Sequence, residues 1–293
     1  MYYANVGKME NKGVEFSLQA SLLRTRNFEW IVGGNIAKST AKLKALGGEK
    51  QVILDGNYNG MQLVNRVGES PYQFYGYQAD GVFSTQAEAD EAALVNRTGR
   101  SYSAGDVRFV DQNGDHRIDD KDRVLLGSAS PDYFGGFYTQ LKYKGLALSA
   151  EFSYSKGNMA YNAVRQQLES MSTTNNQSLS VLNRWTVDGQ KTDVPRARWK
   201  DPVGNSYFSS RWIEDASYLR LKNVTLSYTF SKTVWNFFRS GTLYVTGENL
   251  LTFTDYLGMD PEFSSSYSEN VQGLDYGKLM QPKTVKVGVN LKF

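Results

Sequence analysis

Apolar and polar residues alternate strictly along several stretches of the chain. Near the N-terminus, the apolar positions are Val14, Phe16, Leu18, Ala20 and Leu22. The residues between them are polar. Side chains of a β-strand point alternately to opposite faces, so this period predicts a strand with one apolar and one polar face. A tight turn over 24–27 and a second strand starting at Phe28 follow.

The same alternation predicts strands further along the chain. They cover residues 137–143, 146–154, 217–230, 242–254 and 285–293. Within 217–230 the phase slips, because Leu219 and Leu221 are odd-numbered whereas Val224 and Leu226 are even-numbered. A β-bulge near Lys222 and Asn223 would reconcile the two halves.

The predicted strands are joined by connections of two lengths. Three connections are short, whereas 46–133, 157–217 and 255–281 are long. Short turns on one side and long loops on the other are typical of an outer-membrane β-barrel. A soluble β-sandwich also alternates, but it seldom has strands this long or loops this unequal. Inside the long connections, 85–95 and 158–171 are predicted to be short helices.

Composition narrows the class of protein. No stretch of the 293 residues approaches the roughly 18 to 20 apolar residues that a membrane-spanning helix needs. The 19 Tyr, 15 Phe and 27 Gly suit a barrel with aromatic girdles. The chain has no cysteine, which excludes disulfides and thiolate metal sites. The net charge of +3 is scattered without a basic stripe, so a nucleic-acid partner is not expected.

The N-terminal residues contain no charged segment followed by an apolar one, so they do not form a secretory signal. An outer-membrane protein needs such a signal. We therefore expect the chain to be an incomplete part of a longer protein.

Four segments of the chain carry recognisable motifs. Residues 216–228 read ASYLRLKNVTLSY, and a second segment reads GENLLTFT over 247–254 followed by YLGMDPE over 256–262. Upstream, 76–83 read GYQADGVF and 105–111 read GDVRFVD. These segments resemble those of SusC/RagA-type TonB-linked outer-membrane receptors and occur in the order expected for the family, which makes the resemblance specific.

The resemblance implies an all-β fold, the C-terminal segment of an antiparallel transmembrane β-barrel with short periplasmic turns and long extracellular loops. Residues 1–293 would form one part of that barrel, without the plug domain or signal peptide. The family imports oligosaccharides or peptides across the bacterial outer membrane together with a SusD-like surface lipoprotein. Energy comes from TonB, through the missing N-terminal part. The terminal Phe293 resembles the signal that the barrel-assembly machinery recognises, and it also suits a simple closing strand.

One loop has the oxygen-rich pattern of a calcium site. Oxygen ligands at loop positions 1, 3, 5, 9 and 12, with a backbone carbonyl at 7, suit a hard cation. The corresponding residues are Asp111, Asn113, Asp115, Asp119 and Asp122, with the carbonyl of Arg117. His116 replaces the usual turn glycine, and Asp122 is shorter than the usual glutamate. The alternative is a surface loop held by its own side-chain hydrogen bonds.

Enzymatic chemistry is not expected. His116 is the only histidine, and its place among aspartates favours a solvated loop residue over a catalytic triad. Several loop aromatics are candidates for stacking on a substrate, or for girdle and loop packing. They are Trp199, Tyr207, Phe208, Trp212, Tyr256 and Tyr267. The competing function is a soluble or surface-exposed β-rich binding module stiffened by calcium.

Overall fold

Seven long strands form one sheet in the computed structural model, which describes residues 7–56, 58–231, 239–262 and 271–292. They are β1 (Gly7–Arg24), β2 (Phe28–Leu46), β3 (Tyr133–Tyr143), β4 (Leu146–Lys156), β5 (Tyr218–Ser231), β6 (Ser240–Thr254) and β7 (Thr284–Lys292). Each predicted strand is present. Phe293, at the end of the last one, lies outside the described residues.

The strands lie in the sheet in chain order, and every neighbouring pair is antiparallel. Short connections join β1 to β2, β3 to β4 and β5 to β6. Long connections cover 47–132, 157–217 and 255–283. The predicted layout of short turns and long loops is therefore confirmed.

The strand register gathers the apolar residues on one face. One row of apolar residues, each directly opposite the next, crosses all seven strands: Leu23, Trp30, Leu141, Leu148, Leu226, Val245 and Val287. A row on the opposite face is polar: Gln140, Ser149, Thr225, Thr246 and Lys286. The sheet thus has one apolar and one polar surface, as the alternation predicts.

The apolar surface is not covered by the rest of the described chain. Val14 is 74% exposed, and Phe16 and Leu18 are 60% and 61% exposed. In a β-sandwich such side chains would meet in a dry core between two sheets. A contiguous apolar surface of this extent requires an apolar surrounding such as lipid, which argues against a soluble module.

Three register shifts interrupt the long sheet, and two of them bear on the predicted alternation. The register shifts at Lys222 relative to both neighbouring strands, which confirms the predicted bulge. A second shift lies between Ser21 and Leu23, so Leu23 rather than Leu22 pairs with Trp30. The predicted alternation through Leu22 is wrong at this last position, because the extra residue of a bulge moves the following side chains to the other face.

The long connections contain their own short elements. The first holds a four-stranded sheet of Gln51–Asp55, Gln62–Arg66, Gln73–Tyr77 and Arg123–Gly127. It also holds the pairs Ala79–Val82 with Val107–Phe109 and Val95–Asn96 with Arg117–Ile118. Met159–Asn162, Ile213–Asp215 and Leu274–Asp275 form a three-stranded sheet that draws on the second and third connections. The 3-10 helices are Asp120–Asp122, Leu179–Asn183 and Ser210–Trp212.

Both predicted helices exist, and both are shorter than predicted. The first spans Gln86–Ala92 and begins where the Thr85 hydroxyl accepts a hydrogen bond from the Glu88 amide at 3.2 Å. The second spans only Ala163–Glu169, because the residues before it pair as a strand with Ile213–Asp215. Neither seven-residue helix of the described chain is long and apolar enough to cross a membrane.

The described residues of the three long connections (47–132, 157–217 and 255–283) pack together, and we call them the loop body. One of its cores joins Leu63, Trp212 and Leu274, one residue from each connection. A second core joins Phe109 of the first connection to Val203 of the second. The buried apolar cores therefore lie within the loop body, whereas the apolar face of the long sheet is exposed.

Candidate functional site

The aspartate-rich segment 111–122 is a loop whose carboxylates accept its own backbone amides. Asp111 accepts from the amides of Gly114 at 2.8 Å and His116 at 2.7 Å. Asp115 accepts from the Arg117 amide at 3.0 Å, and Asn113 accepts from the Asp115 amide at 3.0 Å. Such hydrogen bonds from backbone amides to Asp and Asn side chains are the ones expected if the segment is a surface loop held by its own hydrogen bonds, which is the alternative to a calcium site.

The end of this loop is buried. Asp122 is fully buried and accepts from the amides of Gln112 at 2.9 Å and Asp119 at 2.8 Å. Burial raises the pKa of Asp122, and the nearby charges of Asp111 and Asp119 add to the rise while the two amides oppose it. Asp119 also accepts from the Lys121 amide and caps the 3-10 helix Asp120–Asp122.

Calcium binding by this loop stays a prediction. In the part of the chain that the structure describes, no group of three or more histidine or acidic side chains is arranged to hold a metal ion. His116 adopts a φ of 59°, the left-handed conformation for which such loops use glycine. Its ring Nδ1 lies 3.0 Å from the carbonyl oxygen of Ala92, so the contact is with the backbone rather than with a serine hydroxyl.

The six candidate aromatic residues do not form one surface. Trp212 is 1% exposed, with its Nε1 donating to the Tyr207 carbonyl oxygen, and Tyr256 is buried with its hydroxyl bonded to Asp275. These two therefore occupy loop-packing positions. Trp199 is exposed, and Tyr267 lies outside the described residues. Tyr207 and Phe208 line a cleft, although the Phe208 side chain is itself almost fully buried.

This cleft has a volume of about 550 Å³ and lies between the first and second long connections. Most of its side chains are uncharged hydroxyls and amides, including Asn59, Gln166, Gln167, Ser170, Thr173 and Asn175. A pocket of this size with many polar groups suits a small polar ligand. Sequence reasoning found only the two aromatic residues, because the remaining lining comes from loop positions without a periodic pattern.

Two arginines line the cleft. The Arg123 guanidinium carbon lies 4.9 Å from the centre of the Tyr77 ring, and Arg97 also lines the cleft. Burial raises the pKa values of Tyr77 and Tyr207, although the charges of both arginines oppose the rise. Both phenols therefore keep their protons at neutral pH and are able to donate hydrogen bonds.

A buried carboxylate ties the first long connection to the second. Asp106 is fully buried and receives two bonds from Arg196, at 3.0 and 2.9 Å, and one from Asn205 at 3.0 Å. Arg198 lies 3.2 Å from the same carboxylate. Asp106 belongs to the segment 105–111, which resembles the receptor family, so that segment holds the loop body together.

A second ion cluster fixes the third long connection to the sheet. Arg220 of β5 is 3% exposed and contacts Asp260 and Glu262, the latter at 2.8 Å. Asp260 also accepts the Gln281 amide at 2.9 Å. The residues come from two of the segments that resemble the receptor family, 216–228 and 256–262. The two upstream segments, 76–83 and 105–111, are also in contact, since Ala79 pairs with Phe109.

Known proteins are similar to this chain in sequence and in fold. The chain is 32% identical over 302 residues to the TonB-dependent receptor P3 of Formosa agariphila, covering 99% of the chain and 29% of the relative. It is 26% identical to the TonB-dependent receptor SusC of Bacteroides thetaiotaomicron, covering 99% of the chain and 27% of the relative. No family model matches the chain.

The structure of the RagAB peptide transporter matches with a TM-score of 0.77 and 25% sequence identity, over 99% of the chain and 30% of that structure. The chain thus spans under a third of the length of the proteins that it matches. The ordered segments, the two-faced antiparallel sheet and these matches agree. Over 99% of its length the chain is similar to the SusC/RagA-type TonB-dependent receptors, and its fold is that of part of their β-barrel in the bacterial outer membrane.

Proposed function

We propose that the receptor containing this chain imports an oligosaccharide or a peptide across the outer membrane, with energy supplied through TonB. The observation that carries the proposal is the sheet with an exposed apolar face and a polar opposite face, matched along 99% of the chain by TonB-dependent receptors. The apolar face would contact lipid and the polar face would line a wet pore. Residues 1–293 would contribute one part of a single barrel.

The role of this part is passive and involves no chemical reaction. The similar proteins are transport receptors rather than enzymes. The sheet supplies the wall, and the loop body supplies polar surface for a ligand. TonB coupling would reside in other parts of the receptor.

Two partners complete the proposal. A SusD-like surface lipoprotein would cover the extracellular side, which the similarity to SusC and to RagAB supports. The barrel-assembly machinery would insert the receptor into the membrane, with Phe293 as part of its signal.

Deletion of the receptor gene in the bacterium that carries it tests the function. We expect loss of growth on one class among a panel of oligosaccharides and peptides, restored by the intact gene and abolished again by deletion of tonB. Purification of the tagged receptor should recover a surface lipoprotein. Unchanged growth on the whole panel, or recovery of the receptor in the soluble fraction, would favour the calcium-stiffened binding module instead.

A further inference from the structure

The cleft between the first two long connections carries an excess of positive charge. Arg123 lies 3.1 Å from one oxygen of Asp120, and Arg97 lies 3.7 Å from the other. Two guanidinium groups therefore share a single carboxylate. One positive charge is left without a partner in this group of three.

The lining of the cleft adds no opposing charge, because its described residues include no aspartate or glutamate. The Arg123 side chain is only 8% exposed and is held by a bond of 2.6 Å to the Gln62 amide oxygen, whereas Arg97 is half exposed. Electrostatic attraction is stronger at such a partly desolvated site than in water. A half-exposed arginine next to a buried one is suited to bind a carboxylate.

The uncharged side chains that line the cleft indicate which class of ligand would carry the bound carboxylate. The segment 170–175 contributes Ser170, Ser172, Thr173 and Asn175 to the cleft and contains no strand. A peptide bound by strand addition needs an exposed strand edge, which this wall does not offer. Dense hydroxyl and amide groups beside the half-buried ring of Tyr207 instead match the many hydroxyls and the apolar ring face of a sugar.

We propose that this cleft binds a carboxylate-bearing oligosaccharide, with Arg97 and Arg123 at the carboxylate and the polar wall at the sugar hydroxyls. The inference rests on the proposed import function, because it chooses the oligosaccharide from the two ligand classes left open above. It also assigns ligand contact to residues of the loop body rather than to the strands.

Binding to the purified full-length receptor in detergent tests the inference, with a tetramer of galacturonic acid as probe and its methyl ester as the uncharged control. Arg97→Gln removes the half-exposed charge, and we expect binding about 10-fold weaker. Asp120→Asn removes the competing carboxylate, which is 65% exposed, and we expect binding about 3-fold tighter. Arg108→Gln is the matched control, because that exposed arginine pairs with Asp80 away from the cleft.

The two variants predict opposite signs, so a folding defect cannot imitate both results. Equal affinity for the acid and its ester, or equal affinity of Arg97→Gln and the unaltered receptor, would overturn the inference. A tetramer of glutamate that binds as tightly as the sugar acid would overturn the assignment to a sugar. Nutrient uptake by the intact receptor is measured separately. Uptake without binding of the sugar acid refutes the cleft assignment alone, whereas an intact receptor that takes up none of the oligosaccharides or peptides refutes the proposed function.

Discussion

The ion cluster around Arg220 predicts how firmly the third long connection is held to the sheet. Arg220 and Asp260 are 3% and 5% exposed, so neither charge is solvated by water. Arg220→Met keeps the length of the side chain but leaves the Asp260 carboxylate buried without its charged partner. Removal of one member of a buried pair costs about 3–5 kcal/mol.

This loss of stability should appear as more frequent local opening of the third long connection. The Gln281 amide donates to Asp260 at 2.9 Å, so its hydrogen exchange reports the state of the cluster. Because about 1.4 kcal/mol corresponds to a factor of 10, a loss of about 3 kcal/mol predicts exchange roughly 100-fold faster in the full receptor. The double variant Arg220→Met with Asp260→Asn should lose less, since no uncompensated charge remains.

Lys222 supplies a matched control. It pairs with the same Glu262 at 3.0 Å but is 35% exposed, and pairs of this kind contribute at most about 1 kcal/mol. Lys222→Met should therefore change the exchange of the Gln281 amide by less than about 5-fold. If Arg220→Met and Lys222→Met have the same small effect, the cluster does not hold the connection and the reasoning from burial is refuted.

Four further predictions follow from the same structure. Phe16→Arg on the apolar face should cost about 2–4 kcal/mol of stability and reduce the amount of receptor in the outer membrane, whereas Ser17→Arg on the polar face should not. Equal amounts of the two variants on an immunoblot of the membrane fraction would contradict the assignment of the two faces. Asp106→Asn should cost about 3–5 kcal/mol by leaving two arginines without their carboxylate, seen as faster proteolysis of the loop body. Burial raises the pKa of Asp260, but Arg220 and two backbone amides lower it more, so its net pKa is lowered. The third long connection should therefore be protected from hydrogen exchange at neutral pH and lose this protection as the pH falls below about 4. Loss of protection on raising the pH would refute this. Calcium should slow protease cleavage within 111–122 and a chelator should reverse the effect; an unchanged rate would leave the hydrogen-bonded loop as the full explanation.

The strands were predictable from the sequence because their signal is local. In a strand, residues two positions apart lie on the same face, so Phe16 and Leu18 suffice to show which face of β1 is apolar. Even the bulge at Lys222 shows as a shift of phase. The bulge at Leu22 left no such trace, because Leu22 and Leu23 are both apolar and either one fits the pattern.

The loop body was not predictable in the same way. Asp106 meets Arg196 across 90 positions, and Arg220 meets Asp260 across 40, so no short window contains both partners. Trp212 illustrates the consequence: as a loop aromatic it suggests a ligand contact, but the structure buries it against residues of the other connections. The cleft at Arg97 and Arg123 was missed for the same reason, since its walls come from two connections.

This difference separates the parts of the chain that carry the fold from those that carry specificity. The strands need only alternate, and many side chains satisfy that requirement on either face. The loop body instead depends on two buried ion clusters, which fix the connections to one another and to β5. Arg123 is held on this support by Gln62 and Asp120, so its charge acts from a fixed position when a ligand binds. We therefore expect that substitutions at Arg97 or Asp120 will change which ligand is bound while the barrel remains intact.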